Sequence, residues 1–190
     1  MESELKTFYP KARKAWRQWL QKHHAKEAGV WLIFYKRNSG KPSVSYGEAV
    51  EEALCFGWID SLMNPIDEEK YKQKFTPRKV KSVWSALNKN RVDKLIEQNL
   101  MAPAGMAIIE LGKQNGSWTK LDHVESYTIP PDLGKILAKN KKVFKYFDAL
   151  SKSVKKQWLY RLGNAKLPET RAKRIREIID AVKEYSLRTK

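Results

Sequence analysis

The stretch "SYGEAVEEALCFGWIDSLMNPIDEEKYKQKFTP", Ser45 to Pro77, restricts the fold most, because its periodicity switches from helical to extended at one glycine. Ser45-x-x-Glu48 is a capping box: the serine accepts a first-turn N–H and the glutamate reaches back. Tyr46, Ala49, Val50, Ala53 and Leu54 then share one apolar helical face. Gly57 is placed to stop that helix. "WIDSLM" follows at once as a strand, "NPIDEE" turns, and "KYKQKFT" alternates as a half-exposed strand does until Pro77 ends it. A helix leading straight into an antiparallel hairpin excludes an all-helical fold for this part of the chain.

The flanking segments extend the pattern. Ala12, Trp16, Trp19, Leu20 and His23 recur at helical spacing within a helix expected from Tyr9 to Ala28, closed by Gly29. "VWLIFYKR", Val30 to Arg37, is dense in β-branched and aromatic residues and predicts a third strand. After Pro77 the periodicity is helical. Ser82 or Ser85 caps a helix with Leu87, Val92, Leu95 and Ile96 on its buried side, and Pro103 opens the next, ended by Gly116. "SWTKLDHVESYTIPPD" has no period and reads as a connection. Short helices are expected around Leu133–Ala138 and Val143–Leu150, then one after Ser151 and one opened by Pro168. The fold class predicted is α+β: a small, mostly antiparallel sheet packed by helices over 1–129, followed by an all-helical C-terminal module over 130–190 packed against it. A module of about 60 residues is marginal alone.

The 190 residues carry a net charge of +17, and residues 130–190 account for +11 of it. Such a balance suits an anionic partner: nucleic acid, an anionic lipid surface or an acidic protein. Cys55 is the only cysteine, so no internal disulfide exists, as in a reducing compartment. No stretch approaches the roughly 18 consecutive apolar residues of a membrane span, and "MESELKTFYPKARKAW" has no apolar signal core. The expectation is a soluble, cytoplasmic protein without a transmembrane segment.

Most familiar chemistries find no residues. His23 and His24 point about 100° apart on a helix, and HExxH and CxxC are absent, so no metal site is expected. Cys55 lies at the C-terminal end of its helix, the wrong end to stabilise a thiolate. There is no G-x-S-x-G elbow, no P-loop and no GxGxxG, so no nucleotide cofactor is implied. Between Lys70 and Lys94 nine basic residues surround Tyr71, Phe75 and Trp84. On a strand, however, Lys70, Lys72 and Lys74 share one face and Tyr71, Gln73 and Phe75 the other, which points to aromatics in the core and lysines in water. Asp60 shares its face with Trp58 and Leu62. It suits either an ion pair with Arg78 or Lys79 or a pocket carboxylate beside Trp58 and Trp84.

"EEALCFGWIDS", "DEEKYKQKFTPRKVKSVWSALNKNR", "MAPAG" and "FDALSKSVKKQWLYRLGNAKLPETRAKRIREII" occur in this order. Together they resemble the YdeI/OmpD-associated family, also called bacteriocin-protection or OmdA-like proteins, from about Tyr9 to Val182. The resemblance implies protection against bacteriocins or cationic antimicrobial peptides and supplies no catalytic residue to carry over. Its motifs cluster at the Gly57 turn and after Thr76, where the candidate ligand site is Trp58, Asp60, Ser61, Thr76, Arg78, Trp84 and Ser85. Three functions follow as expectations. One is a non-enzymatic binding protein for a small ligand or anionic macromolecule. Another is a nucleic-acid or anionic-surface binder using the basic C-terminal helices. The third is an enzyme of unrecognised type with Asp60 as general acid or base.

Overall fold

A computed structural model describes residues 5–188. The chain divides into two compact units, 1–119 and 120–190.

The first unit is built on a four-stranded sheet of order β1-β2-β4-β3, with β1 at Thr7–Phe8, β2 at Val30–Tyr35, β3 at Trp58–Pro65 and β4 at Lys70–Pro77. The expected hairpin is present as the antiparallel β3–β4 pair, and β4 pairs antiparallel with β2 on its other side. A fourth strand, β1, runs parallel to β2 over only two residues, too few to carry a sequence period. Helix α1 spans Arg13–His23, shorter than the Tyr9–Ala28 expected. Tyr9 and Pro10 are spent leaving β1, and Ala12 is the N-cap rather than part of the apolar face. Helix α2, Tyr46–Cys55, begins with the capping box intact: Ser45 Oγ accepts from Glu48 N, and Glu48 accepts from Ser45 N at 3.0 Å.

Alternation in β2 decides which side of the sheet is covered. Val30, Leu32 and Phe34 are buried, while Trp31, Ile33 and Tyr35 are half-buried. The register Val30↔Phe75 puts Phe75 on the buried face, where it meets Trp16 of α1 edge-on at 5.5 Å. The core thus joins α1, α2 and one sheet face, and continues to α3 (Ala86–Glu97) and α4 (Pro103–Gln114). Of the residues expected to be buried on α3, Val92 and Leu95 are, but Leu87 is 60% and Ile96 40% exposed, because the buried stripe is only one residue wide per turn. A buried ion cluster ties α1 to α2: Glu52 accepts from Arg13 at 2.6 Å and Arg17 at 2.7 Å.

The second unit is helical, as expected. The segment read as a connection contains a short helix α5, Asp122–Glu125, and Val124 enters the core. Then come α6 (Pro131–Ala138), α7 (Lys141–Ala149), α8 (Lys152–Gly163) and α9 (Pro168–Arg188). Asn140 and Ser151 cap α7 and α8. Ile175, Ile178 and Val182 of α9 close on Leu133, Leu137, Phe147 and Leu159. Among the described residues no helix is long and apolar enough to cross a membrane.

Candidate functional site

The turn from α2 into β3 needs a left-handed residue, and Gly57 supplies it at φ +73°. Its carbonyl then accepts from Arg78 N at 2.9 Å, so the start of β3 and the end of β4 are tied at one corner. Trp58 follows and is buried; its indole N–H donates to the His24 carbonyl at 3.1 Å, and its ring meets Trp19 edge-on. It anchors the end of α1.

Asp60 is half-buried and accepts from the Tyr46 hydroxyl at 2.7 Å. It is not ion-paired with Arg78 or Lys79: the register sets it across from Phe75, and the Tyr46 phenol caps it instead. Burial, then the bond to Asp60, pushes the Tyr46 phenol up to about 12. Tyr46, placed on the apolar face by its spacing, is 44% exposed and belongs to the corner. An aromatic with a hydroxyl at the first position of a helix was the only sequence signal for it.

Arg78 is the least ordinary group here. It is 6% exposed, its guanidinium lies 3.7 Å from the Trp84 ring centroid, and Nη2 donates to the Val83 carbonyl. Nε is buried without a hydrogen-bond partner. Burial pulls the guanidinium down to about 10, while the charge of nearby Asp60 opposes the shift. Arg78 remains a cation at neutral pH, neutralised mainly by a ring face and a carbonyl. Trp84 is buried between Arg78 and Trp118, whose ring is 4.9 Å away.

The other three residues lie apart from this contact. Ser61 is exposed at a β-bulge, where the pairing slips between Asp60↔Phe75 and Met63↔Gln73. The bulge also breaks the alternation that grouped Leu62 with Asp60. Thr76 pairs with Ile59 on the opposite face of the sheet, its methyl against Gly29. Ser85 is the N-cap of α3, accepting from Asn88 N at 3.3 Å. The structure therefore brings together Asp60, Arg78 and Trp84 with Tyr46, and assigns Trp58 and Ser85 to architecture. The cavity of about 350 Å³ lined by Leu150, Val154, Trp158 and Val182 belongs to the second unit and contains none of these residues.

A second constellation lies on the less buried sheet face. Lysines 70, 72 and 74 do point away from Tyr71 and Phe75, but the next strand supplies rings on their own side. Tyr35 is paired with Lys70, Ile33 with Lys72 and Trp31 with Lys74. Lys72 Nζ sits 4.8 Å from the Trp31 ring centroid, and Lys70 and Lys41 lie 5.8 and 4.8 Å from that of Tyr35. Lys41 and Lys70 also reach Glu69 and Asp67 at the hairpin turn. Among the described residues neither Lys72 nor Lys74 has a carboxylate within 4.0 Å. Reading β4 alone concealed this face, since its aromatic half comes from β2.

Residues 8–108, just over half of the chain, match a family described as a domain of unknown function, DUF8412. Residues 126–185 match OmdA, described as bacteriocin-protection, YdeI or OmpD-associated. The chain belongs to the DUF8412 family and carries an OmdA domain. The match to OmdA covers the closing helical part of the resemblance drawn from the sequence. The motifs around Gly57 and Thr76 fall in the DUF8412 part, so both the corner and the basic face belong to that family's segment. No curated protein and no solved structure matches the chain.

Proposed function

We propose that the protein is a non-enzymatic, cytoplasmic binding protein of the bacteriocin-protection group, and that its partner is anionic. One observation carries this: lysines 70, 72 and 74 line up on a single sheet face beside Trp31 and Tyr35, on a chain of net charge +17. A basic face attracts polyanions through its charge and through counterion release. The test is fluorescence anisotropy with labelled heparin and labelled oligonucleotides over a salt series, comparing wild type with the Lys70→Glu, Lys72→Glu, Lys74→Glu triple variant. Binding should weaken linearly in the logarithm of salt and collapse in the variant. Failure of wild type to bind any polyanion at low salt would refute an anionic partner. Binding that survives the triple reversal would move the contact to the basic helices beyond residue 130.

Arg78 favours a second function, capture of a small anionic or polar ligand at the corner where Asp60, Arg78 and Trp84 meet. A cation this buried, with Nε unpartnered and no carboxylate paired to it among the described residues, is suited to an incoming acceptor. A thermal-shift screen of phosphates and carboxylates on wild type, Asp60→Asn and Arg78→Met tests it, because a ligand of the folded state raises the melting temperature only where its site survives. Equal stabilisation of all three proteins would exclude the corner.

A further inference from the structure

We infer that the β2–β4 face binds single-stranded nucleic acid, with bases on Trp31 and Tyr35 and phosphates on Lys72 and Lys74, an assignment that rests on the anionic-partner reading above. Charge complementarity selects a polyanion. The centre of the face carries lysines, and the carboxylates nearest to it in the pairing pattern, Asp67 and Glu69, are confined to the turn, where they engage Lys70 and Lys41. Lys72 and Lys74 are left with no carboxylate among the described residues, so their charge is available to phosphate oxygens.

The rings select single strands over other polyanions. Outward-facing residues of one strand are spaced by about 6.8 Å, so Trp31 and Tyr35, with Ile33 between them, offer two rings along β2. All three are half-buried rather than sealed in the core. A sheet face that carries aromatic rings flanked by cations stacks unpaired bases; it cannot reach bases already stacked inside a duplex. Lys72 lies over Trp31 in the free protein. Since base stacking on an aromatic ring outweighs a solvated lysine–ring contact, a base can take the ring while the ammonium moves to the neighbouring phosphate. Heparin offers the charges without the bases, and a lipid surface offers them without a linear spacing.

The deciding experiment uses the full chain with labelled oligo-dT, the same sequence as a duplex with oligo-dA, labelled heparin and vesicles of mixed neutral and anionic phospholipid. Three proteins are compared: wild type, Trp31→Leu, which keeps apolar bulk but removes the stacking face, and Lys72→Gln/Lys74→Gln. Circular dichroism melts establish that the variants fold. Wild type should prefer oligo-dT to the duplex and show tryptophan quenching on binding. Trp31→Leu should weaken oligo-dT by about tenfold or more while leaving heparin unchanged. Lys72→Gln/Lys74→Gln should reduce the single-strand salt slope by about 1.4. Equal affinity for oligo-dT, duplex and heparin, with Trp31→Leu indistinguishable from wild type, would overturn the assignment while leaving an anionic partner standing. Vesicle binding without oligo-dT binding would overturn it in favour of a membrane surface. No binding to any of the four probes would remove both.

Discussion

Gly105→Ala tests the packing that holds the Gly57 corner. In α4 the Cβ added at Gly105 would lie 2.3 Å from the Cys55 carbonyl oxygen, 2.8 Å from its carbon and 2.8 Å from the Leu54 oxygen. Ordinary contact begins near 3.4 Å, so α4 and the end of α2 must separate by roughly 1 Å. None of these atoms belongs to a side chain that can swing away. Both carbonyls are also in use: Cys55 O accepts from Ala102 N at 3.0 Å, and Leu54 O from Gly57 N at 3.1 Å. Overpacking costs about 1–3 kcal/mol, and weakening the Ala102–Cys55 bond adds about 1 kcal/mol. Alanine's helix propensity returns about 1 kcal/mol. The expected net loss is roughly 1–3 kcal/mol, a fall of about 3–10 °C in melting temperature for a chain of this size. Gly47→Ala is the matched control, because nothing lies within 4 Å of its added Cβ, and it should raise stability by up to about 1 kcal/mol. Thermal melts and urea titrations of both variants read the difference. If Gly105→Ala melts with or above wild type, the α2–α4 approach is looser than described and the corner is not clamped by it.

The buried Glu52 should be costly to truncate. Glu52→Ala leaves Arg13 and Arg17 without their shared partner, and because both guanidiniums are about a third exposed the loss should be roughly 2–3 kcal/mol in urea unfolding; a loss under about 0.5 kcal/mol would mean the cluster is solvent-screened. Cys55 is buried, and burial foremost, with the charge of Glu52, pushes its thiol up to about 11. It should react with a disulfide reagent at mildly alkaline pH only on unfolding, and rapid labelling of the folded protein would contradict that. Tyr46 is an acid whose folded pKa, about 12, exceeds its ordinary 10.0, so its contribution to stability is present below pH 10 and is lost as pH rises through 12. Phenolate absorbance should show the last-titrating tyrosine missing in Tyr46→Phe. In the second unit, hydrogen bonds from Arg171 to Asp132 hold that carboxyl below its ordinary 3.8. Its stabilisation exists above pH 3.8 and is lost as pH falls through the depressed value, so Arg171→Met should flatten the acid limb of stability against pH.

Local rules made the corner legible and left its contents obscure. The capping box, Gly57 and the alternation of β4 are signals spread over a few residues, and each marks its element because the physics that sets it is equally short in range. Arg78 is different. A charged residue after a proline at a strand end reads as solvent-exposed, and the obvious partner was Asp60. Its burial depends on Trp84, six positions later across a loop without period, and on Tyr46 taking Asp60 from the far end of α2.

The basic face shows the same limit more sharply. Alternation within β4 correctly separates Lys70, Lys72 and Lys74 from Tyr71 and Phe75, and taken alone it argues against a cation–aromatic surface. What reverses the argument is the β2–β4 register, which sets Trp31 across from Lys74 and Tyr35 across from Lys70. A slip of one residue would place the buried residues of β2 beside those lysines instead. The register is held from the other face, where Val30 pairs with Phe75 and Phe34 stacks on Tyr71 at 5.1 Å. The hydrophobic core therefore determines which rings the lysines meet, and a change buried on one side of the sheet should be felt as altered binding on the other.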